Sequence, residues 1–192
     1  MALFASLADS RVVAARVTLP AWGRATADAR LADDDALPSG PLLLTIGNLS
    51  LAMTPVPNRD GPFAGSRSVR LVAGMGGWSN DVAARFYAFA QPGVRLSTVL
   101  RDVAAEVGET IVVSAAQDRS IGPFFARAAG PASRVLAALV GRDAWWIDAA
   151  GVTRIGERAT TAITSEFDIP DGGYTPNARS VVIATEDLAS WQ

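Results

Sequence analysis

The first eighty residues alternate between apolar and polar side chains over short runs, which is the period of a β-strand. In residues 11–19, RVVAARVTL, Val13 and Val17 fall on one side of the chain and Arg16 and Thr18 on the other. The same pattern predicts a strand over residues 25–31, a hairpin over residues 41–57 that turns at Gly47-Asn48, and a strand over residues 68–73. The N-terminal part is therefore predicted to be all-β, as a small barrel or sandwich.

Two segments of this first part are rich in turn-forming residues. Residues 57–66, PNRDGPFAGS, are predicted to form a loop, and residues 74–78, GMGGW, a flexible connector. The connector invites comparison with phosphate-binding loops. However, the dinucleotide fingerprint requires a third glycine where Ser79 stands, and the Walker pattern requires a lysine. A phosphate site is therefore the less favoured interpretation of these glycines.

After Gly93 the apolar residues recur at helical spacing instead of strand spacing. Leu96, Val99 and Val103 predict one helix over about 95–107, which ends at Gly108. A second helix is predicted over about 131–140, with Pro131 at its start and Gly141 beyond its end. Strands are predicted around the helices over residues 110–115 and 121–128, in a hairpin over 144–156, and near the C-terminus over 159–170 and 179–187.

These elements define the predicted fold class and domain organisation. The class is α+β, with an N-terminal small β-barrel over residues 1–90. A mixed domain of two β-α-β units and terminal strands follows over residues 91–192.

Composition excludes several kinds of chemistry. The chain has no cysteine and no histidine, and all 17 of its basic residues are arginine. Thiol nucleophiles, Cys/His zinc sites, Ser/His/Asp triads and lysine Schiff bases are therefore absent. Carboxylate, tyrosine or carboxylate-bound metal chemistry would remain. We predict that the chain is not an enzyme and that it uses no metal or cofactor.

The charge and hydropathy patterns bear on partners and location. The formal net charge is -2, and the arginines are dispersed singly, which argues against a nucleic-acid footprint. The start of the chain lacks the basic segment of a signal peptide, and no apolar run is long enough to span a membrane. We therefore expect no nucleic-acid partner, no membrane insertion and a soluble chain that is not exported by a signal of its own.

Acidic residues form two candidate sites. Asp33, Asp34 and Asp35 are consecutive, whereas a calcium loop alternates its oxygen ligands and adds a distal glutamate, so a solvated turn is favoured. Glu166 and Asp168 alternate on a predicted strand and so share a face, which is the geometry of a glycosidase pair. A carboxylate-dependent glycan hydrolase is accordingly kept as a minor alternative.

The second half of the chain resembles two known families. The segments GVRLSTVLRDVAAEVGETIVVSA (93–115) and FFARAAGPASRVLAALVGRDAWWIDAAGVTRIG (124–156) are similar to the β-α-β pattern of secretin and TonB-dependent short N-terminal domains. They also resemble a module of phage tail hub proteins of the late-control D class, in which the module sits beside a small β-barrel. VTLPAWGRATADARL (17–31) and the strands up to Pro57 look like that barrel, so the hub resemblance covers nearly the whole chain.

The hub resemblance implies a structural role. It implies a homotrimer that is made in the cytoplasm of the host and lies in the virion, at the tip of a phage tail or contractile injection system. There the homotrimer would join the tail tube to a spike or central fibre. The alternative is a periplasmic docking module of the secretin or TonB type. No catalytic, cofactor-binding or metal-binding residue is carried over. The candidate interface anchors are the tryptophans near predicted element ends, namely Trp22, Trp78, Trp145 and Trp146; burial in the core is the alternative for each.

Overall fold

A computed structural model describes residues 5–33, 36–63, 65–141, 144–159, 174–175 and 180–181. Its N-terminal part is a closed barrel of six antiparallel strands in the order β1-β2-β3-β6-β5-β4. The strands are β1 (Ala5–Leu7), β2 (Ser10–Thr18), β3 (Thr26–Leu31), β4 (Leu42–Ile46), β5 (Leu49–Phe63) and β6 (Ser66–Ala73). The predicted barrel is thus confirmed, as is the hairpin turn at Gly47-Asn48 between β4 and β5.

Strand alternation fills the barrel with aliphatic side chains. Leu7, Leu31, Leu44, Met53 and Leu71 are all completely buried, and they come from five of the six strands. Successive side chains of a strand point to opposite faces, so a barrel of this size is packed by every second residue. At these five positions the apolar alternation in the sequence therefore marks the barrel interior.

Strand β2, which was predicted over residues 11–19, differs from its prediction in which side chains face the barrel interior. Val12 pairs with Leu31 and Ala14 with Arg30, so Val13 is an extra residue with no partner across the ladder. Such a β-bulge reverses the alternation on one side of it. Val12 is therefore buried, whereas Val13 is 51% exposed.

The predicted loop over residues 57–66 is wrong, because most of it belongs to a long hairpin. Strand β5 runs to Phe63 and pairs again with β6 from Asp60 onward. Between Pro55 and Asp60 the ladder is interrupted, and Asn58 adopts a left-handed backbone with φ of 58°. Proline and asparagine are tolerated at such an irregularity, which makes the segment look like a loop in the sequence.

Both predicted helices are confirmed to within one residue. Helix α1 spans Leu96–Glu106 and helix α2 spans Ala132–Val140. Each buries the apolar face that its 3.6-residue period defines, and the two helices contact each other. Gly108 follows α1 with φ of 73°, a conformation that favours glycine at a helix end.

A three-stranded sheet lies next to the helices, in the order β12-β13-β9. Strands β12 (Trp145–Ile147) and β13 (Thr153–Ile155) form the predicted antiparallel hairpin, and β9 (Ile111–Val113) runs parallel to β13. Helix α1 leads into β9, and helix α2 precedes β12 along the chain.

Short two-stranded ribbons complete the described residues. Strand β7 (Asp81–Val82) pairs with β11 (Gly130–Pro131), β8 (Arg85–Ala88) with β10 (Phe124–Arg127), and β14 (Tyr174–Thr175) with β15 (Ser180–Val181). The strand predicted over residues 121–128 before α2 corresponds to β10, which pairs with β8, whereas β12 after α2 pairs with β13. The predicted β-α-β unit around α2 therefore does not lie within one sheet. The division of the chain at residue 90 stays a prediction, and most of the predicted terminal strands lies outside the described residues.

Backbone hydrogen bonds join the barrel to the three-stranded sheet. The Ala52 amide donates to the Ala149 carbonyl at 2.8 Å, and the Gly23 amide donates to the Trp145 carbonyl at 2.7 Å. The Ile147 amide returns a bond to the Gly23 carbonyl at 3.1 Å. These contacts place the tryptophans of β12 against the loop between β2 and β3.

Candidate interaction surfaces

The four candidate tryptophans lie in two environments, the core and the junction of the barrel with the three-stranded sheet. Trp78 lies in the core. It is 1% exposed, and its indole Nε1 donates a hydrogen bond to Thr153 Oγ1 at 2.9 Å. A buried indole with its N–H satisfied is a core residue. Trp78 therefore packs inside this chain, while contact of the other three with a partner stays a prediction.

Trp22, Trp145 and Trp146 come together where the barrel meets the sheet. All three are half-buried, and the rings of Trp22 and Trp146 meet edge to face with centroids 5.8 Å apart. Trp145 packs against the hydrophobic core from the other face of β12. Trp145 and Trp146 are neighbours on β12, and successive residues of a strand point to opposite faces, which accounts for their different surroundings.

A cleft of about 350 Å³ opens beside the Trp22–Trp146 pair. It is lined largely by apolar side chains, including Leu19, Leu51 and Trp146. Arg158 also lines the cleft and donates from Nη1 to the carbonyls of Pro20 and Ala21. The volume of the cleft is at the lower end of the range for small-molecule pockets.

The GMGGW segment is an ordered turn that encloses a carboxylate from its own chain. Glu109 is buried, and its Oε1 accepts a hydrogen bond from the Gly77 amide at 2.7 Å. Its Oε2 accepts one from the Met75 amide at 3.3 Å. Successive amides of this kind form an anion-binding nest. The segment thus connects the barrel to the helical region as predicted, while its flexibility stays a prediction, and the nest that suggested a phosphate loop is occupied by Glu109.

Gly77 of this turn is required by a close approach of the backbone. A Cβ atom at Gly77 would lie 2.0 Å from the Val107 carbonyl oxygen, which no side chain tolerates. Burial raises the pKa of Glu109, while the amides of Met75, Gly77 and Trp78 act in the opposite direction. The sequence signal for this arrangement was the glycine spacing, but the identity of the anion was not predictable from it.

A buried arginine fastens the β8–β10 ribbon to helix α1. The Arg127 side chain is 1% exposed and pairs with Glu106, while its Nη1 lies 3.4 Å from Asp102 Oδ2. Its Nε donates to the Ala83 carbonyl at 3.0 Å. The Ala83 amide, and then Arg127, hold the pKa of Glu106 below its usual range.

Two more side chains of β8 join this network. Arg85 and the Tyr87 hydroxyl both contact Asp102. Desolvation, and then the hydrogen bond to Asp102, raise the pKa of Tyr87 to about 12. Sequence reasoning missed this network. Alternation places Arg85 and Tyr87 on one face of β8, but Arg127 shares that face only because β10 pairs with β8, which no local pattern contains.

Arginines line a second cavity, of about 460 Å³, beside the barrel. Arg24, Arg59 and Arg70 contribute to its walls. Arg24 donates to Ser79 Oγ at 3.0 Å, and Arg70 pairs with Asp28 at 3.2 Å, so part of this charge is already matched within the chain.

The candidate acidic sites have different outcomes. Asp33 follows β3 and is exposed, while Asp34, Asp35, Glu166 and Asp168 lie outside the described residues. Within the described ranges, no group of three acidic, histidine or cysteine residues is placed to hold a metal ion. In the same part of the chain, neither helix has the length and apolar character needed to cross a membrane.

Comparisons with known proteins give limited similarity. No protein-family model matches the chain, and no curated protein matches it. Among solved structures, the chain is similar to the tail protein from Neisseria meningitidis MC58, with 13% sequence identity and a TM-score of 0.45. The match covers 79% of this chain and 50% of that one, so the chain spans about half the length of that protein.

Proposed function

We propose that the chain is a structural hub protein of a phage tail or a contractile injection system. The observation that carries the proposal is the order of its parts: a closed six-stranded barrel comes first, and a helix-bearing region with a small sheet follows. This is the order that the resemblance to late-control D hub proteins implies. In this role the chain forms a homotrimer at the tail tip and joins the tail tube to a spike or central fibre.

The state of the polar groups supports a structural role over a catalytic one. Glu109 accepts hydrogen bonds from backbone amides, and Arg127 pairs with both Asp102 and Glu106. Catalytic groups, in contrast, need unsatisfied positions that face a substrate cavity. These side chains hold elements together, and we propose no cofactor for the chain.

Labelling of assembled particles tests the role. Tails purified from the organism that carries the gene would be labelled with antibody against the chain and viewed by electron microscopy. We expect label at one end of the tail and no label along the tube. Tails without label, combined with the chain in the cell-envelope fraction, would contradict the hub and favour the docking module.

A further inference from the structure

The irregular part of β5 forms one wall of the cavity of about 460 Å³ beside the barrel. The ladder between β5 and β6 is interrupted between Pro55 and Asp60, so residues 56–59 lie opposite Arg70 without a regular partner. Such irregularities change the direction of side chains and are common beside functional sites. Arg59 belongs to this segment, and both Arg59 and Arg70 line the cavity. The interruption therefore brings two arginines of neighbouring strands to the same cavity.

The charged side chains that line this cavity are arginines. They are Arg24, Arg59 and Arg70, and no acidic side chain of the described residues contributes to the walls. Arg70 pairs with Asp28, which lies outside the walls. Arg24 also attracts the buried Glu109, whose carboxylate is already bound by backbone amides. The cavity is therefore positively charged, and its negative neighbours lie behind its walls.

Arg59 is the unmatched charge of this group. Within the described part of the chain it has no carboxylate partner, and its sequence neighbour Asp60 pairs elsewhere. Arg59 also lines a neighbouring cavity of about 400 Å³, where Arg16 and Arg30 add positive charge. Asp28 is the acidic residue in the walls of that cavity and is already paired. Because like charges repel at this spacing, a bound anion would stabilise the group.

The chemistry of the walls fits a phosphate group. A phosphate monoester carries a charge of about -1.5 to -2 at pH 7 and has three acceptor oxygens, and the arginine fork donates to two such oxygens at once. A neutral donor is present as well, because Ser79 Oγ accepts from Arg24 at 3.0 Å and keeps its own proton to donate. The volume of the cavity is within the range for small-molecule pockets, so it also has room for an organic group attached to the phosphate.

We propose that the cavity lined by Arg24, Arg59 and Arg70 binds a phosphate group, either as free phosphate or as part of a small phosphorylated molecule. The three guanidinium groups bind the phosphate oxygens, and the Ser79 hydroxyl adds a neutral hydrogen bond. This site differs from the nest of the GMGGW turn, whose amides bind Glu109. It goes beyond the proposed hub function and does not depend on it.

Titration calorimetry with inorganic phosphate and with glycerol phosphate tests the site. Glycerol is the control ligand, and sodium chloride keeps the ionic strength constant, because salt screens exposed charges. We expect saturable binding of both phosphates and no binding of glycerol. Tighter binding of glycerol phosphate would assign the site to a phosphorylated molecule, and equal or weaker binding would assign it to free phosphate. Absence of binding of either phosphate at about 1 mM would overturn the proposal.

Substitution of the unmatched arginine gives a second readout. We expect Arg59→Gln to weaken phosphate binding at least about 10-fold, which is the effect of losing a hydrogen bond between charged groups. Because Arg59 is exposed, the substitution should leave thermal unfolding unchanged. Arg101→Gln is the matched control, since Arg101 is also exposed but lies on α1, outside the cavity walls. Equal affinities of the two variants for phosphate would overturn the proposal.

The outcomes separate this inference from the proposed function. If antibody labels one end of the tail and the chain binds neither phosphate, the hub stands and the phosphate site is wrong. If phosphate binds and Arg59→Gln weakens the binding, but no tail is labelled, the phosphate site stands and the hub is wrong.

Discussion

Gly77 and Glu109 depend on each other at the turn between the barrel and the helical region. The absence of a side chain at Gly77 lets the backbone approach Val107, and that approach brings the Gly77 amide to 2.7 Å from the Glu109 carboxylate. Trp78 is then buried directly after the turn. A short glycine-rich segment thus places one core indole and satisfies one buried charge.

Substitution of Gly77 tests this packing. We expect Gly77→Ala to lower the free energy of unfolding by about 3 kcal/mol, because the added methyl group overlaps the Val107 carbonyl. Gly61→Ala is the matched control, since nothing lies within 4 Å of its added methyl group, and we expect a change within about 1 kcal/mol. Chemical denaturation of both variants provides the measurement. Equal effects would show that the turn is not tightly packed.

Replacement of Glu109 should change how stability depends on pH. Burial raises the pKa of Glu109 in the folded chain, so its contribution to stability is complete below the unfolded pKa and is lost as pH rises through the folded value. Glu109→Gln removes this titration. We therefore expect the natural chain to lose stability relative to Glu109→Gln as pH rises from about 4 to 8. Chemical denaturation at several pH values measures the difference in free energy of unfolding between the two proteins. A difference that does not change with pH would contradict this expectation.

At the scale of elements, the Arg127 network decides how the β8–β10 ribbon sits on α1. An isolated two-stranded ribbon is marginally stable, so contacts to a neighbouring element must hold it. Arg127 supplies them through Glu106, Asp102 and the Ala83 carbonyl. Phe86 and Phe124 lie on the opposite face of the ribbon and are exposed because this inner face is fixed.

Loss of the buried guanidinium should destabilise the fold far more than loss of an exposed one. We expect Arg127→Met to cost about 3 kcal/mol, because the carboxylates of α1 lose a partner whose side chain is 1% exposed. Arg70→Met removes an exposed pair with Asp28 and should cost less than about 1 kcal/mol. Chemical denaturation of the two variants and the natural chain measures the loss in free energy of unfolding that each substitution causes. Similar costs would show that the Arg127 pairs contribute little.

Periodicity predicted the regular elements well and the irregular ones poorly. Leu96, Val99 and Val103 define a single buried stripe, so the first helix was predictable to within one residue. The bulge at Val13 and the interrupted ladder before Asp60 depend on pairing with distant strands, which no local pattern contains. The ion pairs of Arg127 are equally non-local, since 21 residues separate it from Glu106.

At the scale of the whole molecule, the barrel and the three-stranded sheet are joined through backbone bonds at Gly23 and Ala52. Strand alternation predicted that the N-terminal part is a barrel. It could not predict this junction, which depends on where β12 meets the loop after β2. The Trp22–Trp146 pair at the junction likewise required the fold. Sequence thus predicted the parts and their order, and the structure supplied the surfaces by which they meet.

The native mass of the purified chain, measured by light scattering across a range of concentrations, tests the hub account most directly. The account predicts three times the mass of one chain, with the trimer persisting on dilution because an obligate assembly buries a large apolar interface. A mass equal to one chain at every concentration would contradict it.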